Sequence, residues 1–216
     1  MKLNVKCIVT GPFKENSYLI SYNYSSYCII IDPGDNPDSI IDEINRNNYR
    51  PIAIVNTHAH LDHIGGVNKI QTKYKIPFYL HQNEKIILDN YTKDCEYFGI
   101  SANIPPIVDH WFNSGKLELK EFSIKLLETP GHTPGGTCLV IEKHVFTGDT
   151  IFCGSVGRTD LPGGNWDTLC DSLVSLMNNV PFDYILHPGH GPRTSLSKEI
   201  SQNQFLIPLL NKVNFS

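Results

Sequence analysis

The chain lacks any run of about 18 apolar residues, the length a membrane-crossing helix needs. Its first residues, "MKLNVKCIVTGPF", alternate instead of forming the apolar core of a secretory leader. The expectation is a soluble, cytoplasmic protein. Positive charge is thin too: 18 Lys and Arg stand against 22 Asp and Glu, a net charge of -4, and the basic residues are scattered singly. No stripe or tail reads as a footprint for nucleic acid or a membrane surface, so the expected partner is a small molecule. No CxxC occurs among the six cysteines, Cys7, Cys28, Cys95, Cys138, Cys153 and Cys170. That argues against a paired-cysteine motif and leaves reduced packing residues as the reading; Cys153, close behind Asp149, reads as packing in an apolar turn. Internal repeats, low-complexity segments and Pro/Gly/Ser linkers are missing as well. The 216 residues, 40% of them hydrophobic, therefore read as a single domain over 1–216 with a substantial core.

What is there are short strand-like runs: "LNVKCIV", "SYLISY", "YCIIIDP", "PIAIVNT" and "PFYL" in the first half, "FSIKLLET", "TCLVIEK", "HVFTG" and a last strand "YILHP" in the second. Between them, "PDSIIDEINRNN" places Ile40, Ile41 and Ile44 on one helical face behind Pro37, Ile64, Val67 and Ile70 recur at helical spacing, and further helices run through "QNEKIILDN" and from Trp166 to Asn178. Strands grouped in both halves with helices between them predict an α/β (α+β) protein of two packed sheets flanked by helices.

The chemistry sits where strands stop. Four strand ends carry histidine or aspartate: "VNTHAHLDH", "ETPGHTPGG", "FTGDT" and "LHPGHGP". In the first, His58 and His60 are two apart in an extended segment and face the same way, whereas Asp62 and His63 open the following helix and aim elsewhere. Glycines beside His132, Asp149 and His190 permit the positive φ that crowded loops need. The five histidines and two carboxylates, His58, His60, Asp62, His63, His132, Asp149 and His190, suit two divalent ions bridged by Asp149 and a water. His81, His110, His144 and His187 share no such context and read as ordinary structural histidines.

This constellation resembles the metallo-β-lactamase superfamily: HxHxDH over residues 58–63, then His132, Asp149 and His190, within a similarity running from about Tyr18 to Phe205. The resemblance implies a four-layer αββα sandwich with the metals at one edge between the sheets. It implies one ion on His58, His60 and His132, the other on Asp62, His63 and His190, and Asp149 as the bridge. "TPGHTPGGTCLVI", "VFTGDTIFCGSVGRTDLPGG" and "PGHGPRTS" are most similar to the short glyoxalase II-like hydrolases, the hydroxyacylglutathione hydrolases. True β-lactamases usually carry cysteine or serine where Asp149 stands, which argues against antibiotic hydrolysis, and the superfamily's RNA-processing nucleases carry large segments absent here. Two-domain glyoxalase II enzymes have a C-terminal helical domain that holds glutathione, whereas this chain stops at Ser216, and their "GCGKF"-like stretch is "GSVGRTD" here. Glutathione-binding residues are therefore not carried over.

The expected activity is cleavage of a small thioester, S-lactoylglutathione or a related hydroxyacylglutathione, by a metal-activated hydroxide that Asp62 orients. A thiol pKa near about 8.5 lets thiolate leave without an obligatory acid. Zinc is the expected metal, with iron or manganese compatible with the same nitrogen and oxygen donors. Arg158 has two readings, a fork onto a substrate carboxylate or, with Asp160, a brace of its loop. Asp32 likewise reads as the partner of a ligand histidine or as a turn aspartate before Pro33. The alternatives are a mononuclear-iron persulfide dioxygenase of the same superfamily using His58, His132 and Asp149, a lactonase or phosphodiesterase, and a non-catalytic ligand-binding module, against which stands the complete set of seven ligands.

Overall fold

β-Branched and aromatic residues cluster in short runs along the chain, and in the computed structural model, which describes residues 2–101 and 104–213, the runs named above are strands. The chain divides into two units, Met1–Phe112 and Asn113–Ser216. In the first, β1 (Leu3–Thr10), β2 (Glu15–Tyr22) and β3 (Tyr27–Ile31) form an antiparallel meander, to which β4 (Arg50–Val55), β5 (Phe78–His81) and β6 (His110–Phe112) add in parallel.

Parallel neighbours need crossovers, and helices supply them. α1 (Pro37–Arg46) joins β3 to β4, α2 (Leu61–Ile64) and α3 (Val67–Tyr74) join β4 to β5, and a 3₁₀ turn at Gln82–Glu84 with α4 (Lys85–Tyr97) joins β5 to β6. Pro37 presets the first turn of α1, and Ile40, Ile41 and Ile44 are its buried face. Ile40 and Ile44 share a core with Leu19, Ile30, Ile54 and Phe78. Each such burial contributes about 1.5–3 kcal/mol, so truncation at Ile44 costs about 2–5 kcal/mol.

The helical spacing of Ile64, Val67 and Ile70 suggests one helix, but the chain forms two. The Gly66 N–H leaves the helical ladder for the Pro33 carbonyl at 2.9 Å. A Cβ on Gly66 would lie 2.5 Å from the Gly34 carbonyl oxygen, so the break brings the segment that follows β4 against the turn that follows β3.

In the second unit β7 (Gly115–Leu119), β8 (Phe122–Glu128), β9 (Thr137–Ile141) and β10 (His144–Gly148) are antiparallel, and a hairpin of β11 (Ile151–Phe152) and β12 (Ser155–Val156) stands apart. α5 (Trp166–Asn179), capped by the Asn165 side chain, crosses over to β13 (Ile185–Pro188), which pairs parallel with β10. "YILHP" is not the last strand: β14 (Thr194–Ser195) pairs antiparallel with β13, and α6 (Leu196–Gln202) follows. Leu169, Leu173 and Leu176 of α5 pack with Cys138, Val145 and Leu186 in this unit's own core.

Two six-stranded sheets with helices give the mixed α/β class expected. All six cysteines are free; Cys28, Cys95, Cys138 and Cys170 are buried as core residues, whereas Cys7 is exposed on the edge strand β1 and Cys153 is half-buried. Among the described residues no helix is long and apolar enough to cross a membrane.

Candidate metal centre

β3 and β4 are parallel neighbours, so the loops leaving their C-terminal ends lie side by side. One carries Asp32, the other Thr57 and the run His58–His63. Asp32 is 1% exposed and adopts φ 48°, a left-handed conformation that aspartate tolerates better than most residues. Its Oδ1 accepts the Thr57 N–H at 2.7 Å, and its Oδ2 accepts the Thr57 hydroxyl at 2.6 Å and the His63 Nδ1–H at 3.0 Å. With its hydrogen committed to Asp32, the Thr57 oxygen accepts Nδ1–H of His58 at 3.0 Å. Assigned from these partners, both imidazoles carry the proton on Nδ1 and offer the Nε2 lone pair to a metal.

The two rings lie 4.0 Å apart between centroids, and the His60 ring is 4.9 Å from His58. Ligand-type atoms of Asp32, His58 and His63 fall within 4.8 Å of one another; since Asp32 is committed to Thr57 and His63, the two histidines are the candidate metal donors of this group. His60 is the extended residue before α2, and Asp62 sits in the first turn with Oδ2 3.9 Å from His63 Nε2.

Two buried carboxylates that motif reading passes over support this run. Glu84, fully buried in the 3₁₀ turn after β5, accepts the Ala59 N–H at 2.7 Å between His58 and His60. Glu15, 1% exposed at the start of β2, accepts the hydroxyls of Thr10 at 2.7 Å and Ser17 at 3.0 Å on Oε2, and places Oε1 3.9 Å from His63 Nδ1. Burial, reinforced by the Asp32 charge and opposed by His63, raises its carboxyl well above the usual carboxylate range. Burial and Asp62 likewise raise Asp35, whose carboxylate crowds Gly65. The signal for Glu15 is a charged residue in "ENSYLISY", a strand buried along its whole length; Glu84, in "HQNEK", reads like a solvent-facing helix residue and gives none.

In the second unit three loops carry the candidate ligands His132, Asp149 and His190. Gly131 takes φ 130°, and a Cβ there would fall 2.3 Å from the Leu169 nitrogen, so only glycine lets the chain reach His132. Gly148, at φ 47°, turns β10 into Asp149. His132 donates Nδ1–H to the Arg158 carbonyl at 2.7 Å, which leaves its Nε2 as the donor atom. That Nε2 and the Nε2 of His190 each lie 3.5 Å from the same oxygen, Oδ2 of Asp149. Two ligands bound at about 2.1 Å with a tetrahedral angle stand about 3.4 Å apart. The spacing is that of a carboxylate oxygen and imidazole nitrogens placed as neighbouring ligands, so the residues fit the divalent metal that the resemblance implies.

Arg158 and Asp160 meet each other: the guanidinium forks onto the carboxylate with two hydrogen bonds of 2.7 Å, both side chains being exposed. The Arg158 hydrogen bond lowers the Asp160 carboxyl to about 2. The four other histidines stand apart from every group of metal-type ligands among the described residues. His81 accepts the Asn83 N–H, His110 stacks on Tyr79, and His144 Nδ1 meets His187 Nε2 at 2.9 Å.

The model of the metallo-beta-lactamase superfamily matches residues 10–190 of the chain. The probable metallo-hydrolase YqgX of Bacillus subtilis is 37% identical over 205 residues, covering 91% of this chain and 94% of that protein. The hydroxyacylglutathione hydrolase GloC of Haemophilus influenzae is 31% identical over 209 residues, covering 94% and 98%. Among solved structures, the crystal structure of BLEG-1 B3 metallo-beta-lactamase superposes with a TM-score of 0.88 at 34% identity, covering 94% of this chain and 99% of that one.

Proposed function

Because the chain belongs to the metallo-β-lactamase superfamily of metal-dependent hydrolases, we propose that His58, His60, Asp62, His63, His132, Asp149 and His190 hold two divalent metal ions, zinc by preference, and that the protein hydrolyses a small hydroxyacyl-glutathione-type thioester. The observation that carries the metal reading is Asp149 Oδ2 standing 3.5 Å from the Nε2 of both His132 and His190. Such ions, when bound, bring the pKa of a water towards neutrality and polarise a carbonyl oxygen.

The chain's own residues do the rest. Asp32 keeps the protons of His63 and, through Thr57, of His58 on the Nδ1 side, so both imidazoles enter the site as neutral donors. The Arg158 carbonyl does the same for His132. The Asp62 carboxylate, 16% exposed, ligates and orients the attacking water by accepting its hydrogen.

The thioester preference rests on the similarity to GloC and on leaving-group chemistry: a thiolate leaves at neutral pH without a proton donor. The test is metal analysis of the purified protein with parallel assays on S-lactoylglutathione, a glutathione persulfide and a β-lactam. About two divalent ions per chain with free thiol released is the expected result. One iron per chain with oxygen consumed on the persulfide overturns the hydrolase reading, and turnover of the β-lactam alone overturns the thioester.

A further inference from the structure

Glu15 spends one of its two carboxylate oxygens on hydroxyls at the edge of the first sheet. Oε2 accepts from Thr10 at 2.7 Å and from Ser17 at 3.0 Å. The Ser17 oxygen in turn accepts the Gly34 N–H at 3.0 Å. Gly34 has no room to move: a Cβ there would lie 2.3 Å from both Glu15 Oε2 and the Asp62 carbonyl oxygen, and 2.6 Å from Thr10 Oγ1. The turn that Glu15 holds through Ser17 is therefore the turn that carries Asp32 at one end and backs onto Asp62 at the other. Oε1 makes no hydrogen bond and faces His63 Nδ1 at 3.9 Å, beyond hydrogen-bond reach.

A carboxyl that is 1% exposed costs folding energy unless its placement returns something. Neither hydroxyl needs a carboxylate to be satisfied, because water or a glutamine would serve both. What the long side chain adds is reach, from the β1–β2 end to the Gly34 turn, with an oxygen that accepts from both hydroxyls.

We propose that Glu15 is a positioning residue of the metal centre, acting through Ser17 and the Gly34 turn to hold Asp32 on His63 and the Asp62 backbone in place. The inference rests on the metal reading above. It assigns to Glu15 a share in the affinity of the ion that Asp62 and His63 hold, without contact with that ion.

The test is stepwise cobalt(II) binding to the metal-free full chain, followed by visible absorption and by competition with a chelator, for the wild type, Glu15→Ala, Glu15→Gln and Ser17→Ala. The wild type is expected to take two cobalt ions. Glu15→Ala and Ser17→Ala are expected to bind one of them roughly tenfold to a hundredfold more weakly, with altered absorption bands for that ion, the loss typical of a group behind a ligand. Glu15→Gln, whose amide oxygen still accepts from Thr10 and Ser17, is expected to restore most of that affinity. Melting of the metal-free proteins is the control that a purely structural defect would move. Wild-type affinity in Glu15→Ala, or equal losses in Glu15→Ala and Glu15→Gln, overturns the role of Glu15 alone. A wild type that binds no cobalt overturns the metal reading and this role together.

Discussion

Oδ2 of Asp32 lies 3.0 Å from Nδ1 of His63 and 2.6 Å from the hydroxyl of Thr57, which itself accepts from His58. One carboxylate thus sets the proton positions on two ligand-type histidines. Asp32→Asn keeps the shape and tolerates the same left-handed backbone, yet removes one acceptor oxygen. Metal affinity should fall about tenfold to a hundredfold, measured by chelator competition, with little change in the circular dichroism of the metal-free protein. Unchanged affinity would show that the Asp32 contact is only a turn brace.

His60 precedes α2 and makes no part of the Asp32 network, so His60→Ala should leave the fold intact. Thiol release from S-lactoylglutathione should drop to background, with melting of the metal-free protein shifted by only a few degrees, as for a half-buried side chain outside the core. Full activity in this variant would remove His60 from the site.

The exposed pair of Arg158 and Asp160 separates two roles. If the guanidinium only braces the loop, Arg158→Ala and Asp160→Ala should act alike, with little change in stability, as for other solvent-screened exposed pairs. If it holds a substrate carboxylate, Arg158→Ala alone should raise KM on the acyl-glutathione while sparing a thioester that lacks carboxylates. Steady-state kinetics on the two substrates decide between them.

His187 is buried beneath His144, its ring stacked on Phe146, and burial, then the His144 and Arg193 charges, hold its pKa down at about 3. Unfolded imidazole titrates near about 6.5, so below that pH the unfolded chain takes up a proton the folded chain refuses. The stability this provides is complete above pH 6.5 and is lost as pH falls towards 3, at up to about 1.4 kcal/mol per unit. Metal-free wild type should lose more of its urea midpoint between pH 7 and pH 5 than His187→Phe, which keeps the stacking. Equal losses would mean that His187 does not titrate in this way.

The two-sheet α/β arrangement was legible in the sequence because its strands are apolar runs that end at turn formers, and α1 and α5 because their buried faces repeat at helical spacing; its type was implied by the resemblance of the histidine and aspartate motifs. The short strands β6, β11, β12 and β14, two or three residues each, were not, since no periodicity fits in so few positions. Local spacing also could not foresee the break between α2 and α3, which depends on the Pro33 carbonyl some thirty residues earlier. At the candidate centre the histidines and aspartates announce themselves by type and spacing. Glu15 and Glu84 do not, because their work is done through hydrogen bonds to residues distant in sequence, Gly34 by way of Ser17 and Ala59 directly.

Arg158 faces two ways. Its main-chain oxygen fixes the tautomer of His132, while its side chain lies in solvent on Asp160. Gly157 beside it is locked by contact, a Cβ there falling 1.8 Å from the Asp149 carbonyl oxygen. Since every residue type brings the same carbonyl, position 158 can exchange its side chain without disturbing His132. The loop is thereby a place where natural variation or directed evolution can exchange an exposed side chain while the hydrogen bond that orients His132 is inherited unchanged.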